Sequence, residues 1–303
     1  MKFEITILGS SSATPIYNRN PSSQLLNVND RLFLIDCGEA TQQQMLRFGI
    51  KAQKIEHIFI SHLHGDHYLG LVGLLSSLHL NGRIKPLHIY APAELLEILN
   101  VQFKYSETEL RYSIEFHPTH TEKSELIFEN QDVSVETIVL SHRIPCTGFK
   151  FTGKKRLPKI IKEKVDELQI SVDHIKLIKK GFDFTDKQGK IHTADELTTA
   201  ADEPKVYAYC SDTVCNWTYI DQIKNIDLLY HEATFLHEML ERAQETFHTT
   251  ALQAGEIASK ANVKKLLIGH FSARYRDLQP LLDESKSIFA NTELAIEGMT
   301  FEV

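Results

Sequence analysis

Residues 61–70 read SHLHGDHYLG, which puts His62, His64, Asp66 and His67 within six residues. Neutral imidazole and carboxylate are good ligands for Zn²⁺. His62 and His64 stand two apart, so an extended backbone points both to the same side. Gly65 permits a sharp turn, after which Asp66 and His67 can face a second position beside the first. One continuous loop can then serve two adjacent metals, and a pair roughly 3.5–4 Å apart is the arrangement for hydrolysing phosphodiesters and similar bonds. The plain alternative is a polar surface loop whose histidines are accidental. It does not explain their concentration where a strand gives way to a helix.

The surrounding pattern supplies that strand and helix. KIEHIFI reads as a buried strand leading into the motif, and YLGLVGLLSSLHLNG as an apolar helix over 68–80 with Gly82 as C-cap. Upstream, FEITIL is a strand and GSSSATPIYNRNPSS a loop, while LLNVNDRLFLIDCG is a hairpin turning near Asn29-Asp30. ATQQQMLRFGI and AELLEILNVQF read as helices, with the strand PLHIYAP between them, and residues 113–151 are strand-rich. Further on, TIVLSH, VYAYCSD, IDLLYHEATF and LLIGH are strands ending at His142, Asp212, Glu232 and His270. A lone His or Asp at a strand end is more often structural than functional. These gain weight because HxHxDH needs outside ligands to complete two coordination shells. TTALQAGEIASKAN and LQPLLDESKSIF are helices, and TELAIEGMTFEV a closing strand pair. The whole reads as an α/β protein, a β-sandwich covered by helices on both faces.

Composition bounds the class. The chain has 303 residues, 42% hydrophobic and 24% charged, ordinary for a globular protein. No apolar run of spanning length and no signal-like N-terminus is present, so a cytoplasmic protein without a membrane partner is expected. Cys37, Cys146, Cys210 and Cys215 form no CxxC pair and read as reduced thiols. The net charge of −7 argues mildly against a polyanionic partner, but it is unevenly spread. Residues 150–192 hold twelve Lys/Arg against six Asp/Glu, a local +6 that leaves −13 on the remainder. Local Lys/Arg density, not total charge, governs nucleic-acid binding.

HxHxDH after a strand resembles the signature of the metallo-β-lactamase fold. Beyond it, ILGSSSATP, LFLIDCGEATQQQMLR, SHRIPCTGF, CSDT, HEATF, FHTTALQAGEIA and IGHFSARY resemble, in order, segments of ribonuclease Z, the tRNA 3′-end processing endonuclease family. The resemblance implies a four-layer αββα sandwich forming a single domain over 1–303, with a flexible basic arm inserted at about 150–192 that grips tRNA. The Gly-Pro of the family's arm is not evident here. It implies two Zn²⁺ per subunit, one held by His62, His64 and His142 and the other by Asp66, His67 and His270, with Asp212 bridging. It further implies that Asp66 orients the attacking water, that His248 oriented by Glu232 protonates the leaving group, and that Ser272 and Arg274 contact the scissile phosphate. The product would be a tRNA 3′-hydroxyl, the substrate a tRNA precursor and the assembly a homodimer. Two rivals share the ligand set: a phosphodiesterase, lactonase or arylsulfatase-like hydrolase of small substrates with the same fold, and a zinc-bound RNA-binding scaffold without catalysis.

Overall fold

The structure is a computed structural model that describes residues 2–201 and 203–303. It divides into two compact units, residues 153–204 and the rest of the described chain.

The larger unit is built on two seven-stranded sheets. The first runs Thr300–Glu302, Phe3–Gly9, Ser23–Val28, Arg31–Ile35, Ile55–Phe59, Leu87–Ala91 and Ile114–Pro118. Its early strands pair antiparallel and those from Arg31–Ile35 onward pair parallel. The hairpin turns at Asn29 and Asp30, both left-handed (φ 51° and 67°), a geometry that suits the twist of two-residue hairpins and the tolerance of Asn and Asp for positive φ. The second sheet runs Thr292–Leu294, Lys265–Gly269, Leu228–Glu232, Val206–Cys210, Thr147–Gly153, Val133–Val139 and Leu126–Glu129.

Two details differ from the sequence expectations. The closing strands do not pair with each other: Thr292–Leu294 edges the second sheet, while Thr300–Glu302 edges the first. The left-handed Gly298 lies in the crossing between them. The helix after the metal motif is also broken, into Gly65–Tyr68 and Gly70–Leu80. Close backbone packing explains the break. Gly70 N–H donates to the Cys37 carbonyl (2.9 Å) and Cys37 N–H to that of His67 (2.7 Å). A side chain on Gly70 would put its Cβ 2.1 Å from the Gly38 carbonyl oxygen.

Apolar periodicity explains the layers. Leu71, Leu74, Leu75 and Leu78 recur at helical spacing and pack with Leu95 and Leu99 against the outer face of the first sheet. Ala251, Ala254, Ile257, Ala258 and Leu281 cover the second. Between the sheets, Phe59 meets Phe149 and Phe151 at ring separations of 5.4 and 5.3 Å, edge to face. Such pairs add about 0.5–1.5 kcal/mol beyond area burial.

Residues 153–204 have a small core of Ile170, Ile178, Phe184, Ala194 and Leu197. Ser171 caps the helix Val172–Ile178, and Thr193 with Glu196 forms a capping box. This unit runs past the boundary drawn from charge, and the difference matters. Between 153 and 204 the sequence holds eleven Lys/Arg and ten Asp/Glu, so the acids after residue 192 nearly cancel the lysines before it. Any basic character is a matter of position within the unit, not of net charge.

Gly70→Ala is expected to lower the unfolding midpoint, at a cost of about 2–4 kcal/mol from backbone displacement, measured by thermal circular dichroism. An unchanged midpoint would show that the Cys37–Gly38 contact is free to shift.

Candidate metal centre

In sheets with parallel strands, ligand sites form beyond the carboxyl ends of the strands, and the candidate residues gather there. His62 follows Ile55–Phe59, His142 follows Val133–Val139, Asp212 follows Val206–Cys210 and His270 follows Lys265–Gly269. Glu232 ends its strand facing the cluster. Its neighbour His231 points to the other face and bonds Tyr219 (2.8 Å), as strand alternation requires.

Three overlapping groups of possible ligands result among the described residues: His62, His64, His142 and Asp212; Asp66, His67 and His270; and Asp212, His248 and His270. In the first, His64 Nδ1 lies 3.2 Å from His62 Nε2 and 3.0 Å from His142 Nε2. In the second, Asp66 Oδ2 lies 3.5 Å from His67 Nε2 and 3.3 Å from His270 Nε2. Asp212 presents one oxygen to each of these first two groups. Oδ2 is 3.6 Å from His62 Nε2 and 3.8 Å from His142 Nε2, while Oδ1 is 3.4 Å from His67 Nε2 and 3.2 Å from His270 Nε2.

Tautomers follow from the acceptors outside the cluster. His67 Nδ1 faces Asp36 (2.7 Å), His62 Nδ1 faces Ser61 Oγ (3.0 Å), and His142 Nδ1 faces the Phe247 carbonyl (3.0 Å). His270 Nδ1 faces Thr234 Oγ1 (2.9 Å), whose own hydroxyl donates to Glu232 (2.8 Å). Each Nδ1–H is thus committed outward, which turns four bare Nε2 lone pairs inward. Among the buried atoms, His67 Nε2 and Asp212 Oδ1 have no hydrogen-bond partner at all. Lone pairs facing lone pairs need a cation between them. The donor set therefore fits two divalent ions of the zinc type.

The charges tell the same story. Burial opposes a proton on His67, yet Asp212, Asp66 and Asp36 hold its pKa well above the ordinary value. Burial, reinforced by the charge of His67, drives His62 well below it. Asp66 loses solvation, but His67 and His270 still hold it far below the carboxylate range. The carboxylates thus demand positive charge here, which a proton on His67 supplies when no metal does.

His248 belongs to a different pair. Its Nδ1 is 3.0 Å from Glu232 Oε1 and 4.0 Å from Asp212. Burial disfavours its imidazolium, but the charge and hydrogen bond of Glu232 raise its pKa to about 9. Glu232 is fully buried and also accepts from Thr249 N (2.8 Å) and Thr234 N (3.0 Å). Beside these groups opens a cavity of about 300 Å³, lined by Ser12, Ala13, Glu39, His64, Asp66, Arg143, Asp212 and His248 among others. Ser272 and Arg274 are not part of this lining, whereas Arg143 is. A larger cavity of about 480 Å³, around Arg31, His57, Arg83 and Lys85, contains none of the clustered ligands.

Reading the sequence did not single out Asp36, Ser61, Thr234, Arg143 or the Ala13 amide, which donates to Asp66 Oδ2 (2.7 Å). Only Asp36 carried a signal: LFLIDCG ends an apolar strand on an aspartate followed by small residues, as VYAYCSD does.

Two seven-stranded sheets, helices on both outer faces and a histidine–aspartate cluster at the strand ends define a metallo-β-lactamase-fold hydrolase. Solved structures agree. Human tRNase Z, short form, superposes with a TM-score of 0.71 at 26% identity, covering 99% of each chain. The metallo-β-lactamase-fold protein YhfI from Bacillus subtilis superposes with a TM-score of 0.70 at 18% identity, also covering 99% of each. Residues 3–209 match the family model described as anti-Pycsar protein Apyc1. Ribonuclease Z of Bacteroides fragilis is 45% identical over 98% of both chains, and that of Cytophaga hutchinsonii 48% identical over 100% of this chain and 97% of that one. The chain belongs to the ribonuclease Z family and is an endoribonuclease of that type.

Asp36→Asn is expected to cost the metal-free protein about 2–4 kcal/mol, because it disturbs a buried carboxylate serving several donors. Tyr209, whose hydroxyl donates to Asp36 Oδ2 (2.6 Å), is one of those donors, and Tyr209→Phe should cost about 1 kcal/mol. Denaturant titration checks both, and equal losses would contradict the ranking.

Proposed function

We propose that this enzyme removes the 3′ trailer from tRNA precursors, using two zinc ions bound at the strand-end cluster. The observation that carries this reading is Asp212, with one oxygen toward each of two ligand groups, combined with the Glu232–His248 pair beside them. Identity at 45–48% over nearly the whole chain supports the substrate. The family-model match to residues 3–209 ends before Asp212, Glu232, His248 and His270, so the whole-chain relatives bear more directly on the chemistry.

His62, His64 and His142 would hold one ion, Asp66, His67 and His270 the other, and Asp212 both. When bound, such ions activate a water and stabilise charge on the phosphoryl oxygens. The chain's own residues do the rest. Asp66, fixed by the Ala13 amide, orients the water for in-line attack. Arg143, in the cavity lining, is suited to a non-bridging phosphate oxygen. His248 carries the proton that the departing 3′-oxygen of the tRNA must receive, and Glu232 keeps its Nδ1–H directed inward so that Nε2 is the donating atom. The P–O3′ bond breaks, so the tRNA leaves with a 3′-hydroxyl and the phosphate stays on the 5′ end of the trailer.

The lysines of residues 154–190 would track the phosphate backbone of the precursor. Strands Thr147–Gly153 and Val206–Cys210 pair side by side, with Val206 opposite Thr152, so a short turn can replace the segment between them.

Incubation with 3′-extended tRNA precursors and mapping of the product ends tests the reading. One cut at the tRNA 3′ end, leaving a hydroxyl, is expected; random cutting or none would refute it. His248→Ala should lower the cleavage rate at least about 100-fold with metal content unchanged. Loss of metal in that variant would move His248 into the ligand set. Replacing residues 154–204 by a short turn should reduce precursor cleavage at least about tenfold more than hydrolysis of bis(para-nitrophenyl) phosphate, and should flatten the salt dependence of binding. Parallel losses would contradict a role in gripping RNA.

A further inference from the structure

We infer that Glu297 is a positioning residue for the second ligand group: through the loop of residues 10–20 it sets Asp66 and His270 for their ion. The inference rests on the reading of the strand-end cluster as a two-metal site.

Glu297 lies in the crossing between the last two strands, Thr292–Leu294 and Thr300–Glu302, and belongs to none of the ligand groups. Its part-buried carboxylate nevertheless collects four donors. Oε1 accepts from Asn20 N–H (2.5 Å) and Ser10 N–H (3.4 Å). Oε2 accepts from Asn20 Nδ2 (2.8 Å) and Gln44 Nε2 (2.6 Å). All four donors are neutral amides, and burial still lifts the Glu297 pKa above its ordinary value. A carboxylate withdrawn from water at such a cost calls for a reason. Three of its four donors belong to the two stems of one loop.

That loop is closed at its base, where Ser11 N–H donates to the Asn20 carbonyl (2.9 Å). Within it Ala13 adopts φ 62° and Tyr17 φ 51°. Residues with a Cβ disfavour this left-handed conformation and keep it only where the surroundings hold them. Ala13 is the residue whose N–H reaches Asp66 Oδ2 (2.7 Å), so the strained position is also the one that fixes a ligand.

The same stem grips a second ligand. Phe271 N–H donates to the Ser10 carbonyl (2.9 Å), and Ser12 N–H to the Phe271 carbonyl (3.0 Å). Phe271 directly follows His270, which itself stands at φ 59°. By anchoring Ser10 and Asn20, Glu297 therefore steadies the segment that fixes both Asp66 and His270. The first ligand group is held by other means: His62 Nδ1 faces Ser61 Oγ, and His142 Nδ1 faces the Phe247 carbonyl. Loosening the clamp should thus be felt by one ion and not by the other.

The test follows the histidine imidazole ¹⁵N signals of the full-length protein through a metal-buffered Zn²⁺ titration, which reports each ligand group separately. Glu297→Gln keeps the size of the side chain but turns one acceptor into a donor that faces other donors. It should move the midpoint for His67 and His270 about tenfold toward higher free Zn²⁺ and leave that for His62, His64 and His142 within about twofold of wild type. Asn20→Ala removes one donor from the same clamp and should give the same selective pattern in weaker form; it decides the matter if Glu297→Gln does not fold. Unshifted midpoints would overturn the inference. So would equal shifts in both groups, which would make Glu297 a general support of the fold. Wild-type protein in which only one group binds Zn²⁺ would refute the two-metal reading itself, and the inference with it.

Discussion

The site is organised around one buried carboxylate that joins the two sheets beneath the metal cluster. Asp36, at the end of a strand in the first sheet, accepts from Ser61 N–H (2.7 Å) and Ser61 Oγ–H (2.9 Å) on the metal-motif loop. It also accepts from the hydroxyl of Tyr209 (2.6 Å), which lies on a strand of the second sheet, and faces His67 Nδ1 (2.7 Å). Sheet one, the ligand loop and sheet two are thereby referenced to a single group. Asp36 adopts φ 54° to do this, a conformation aspartate tolerates better than most residues. Ser61 extends the network to Ser211 (3.0 Å), next to the Asp212 that faces both ligand groups.

Given that frame, the cluster is an electrostatic requirement as much as a geometric one. Asp212, His62 and His67 are almost fully buried, and burying charge is costly unless partners compensate it. The outward-facing nitrogens are satisfied by acceptors outside the cluster, whereas inward-facing His67 Nε2 and Asp212 Oδ1 have no hydrogen-bond partner, a donor set that fits divalent cations. Glu232 repeats the logic one step away: its full burial beside His248 keeps a proton on the imidazole, where a leaving oxygen needs it.

Local patterns made much of this legible in the sequence. HxHxDH is compact, so ligand type, the turn at Gly65 and two adjacent ligand positions follow from six residues. The hairpin at Asn29-Asp30 and the capping box of Thr250 and Gln253 are likewise short-range. Residues joined only by the fold were harder to read. His142, Asp212 and His270 look like ordinary strand ends until topology brings them together, and resemblance to a family supplied what spacing did not. Asp36 shows in the sequence only as a strand-ending aspartate, because its partners, Tyr209 above all, are remote in sequence. The sheet assignment of the last two strands depends on a chain crossing that alternation cannot reveal. The charge-drawn bounds of the inserted arm, about 150–192, and the compact unit 153–204 differ because a run of lysines is conspicuous, whereas the acids after residue 192 are spread among small polar residues.

The central claim is that the two strand-end groups form one dinuclear site sharing Asp212. Native mass spectrometry of metal-free protein titrated with Zn²⁺, alongside Asp212→Ala, tests it most directly. The account predicts that the wild type takes up two ions per chain and that Asp212→Ala weakens both together. Saturation at one ion, or loss of a single ion in Asp212→Ala with the other held as tightly as before, would contradict it.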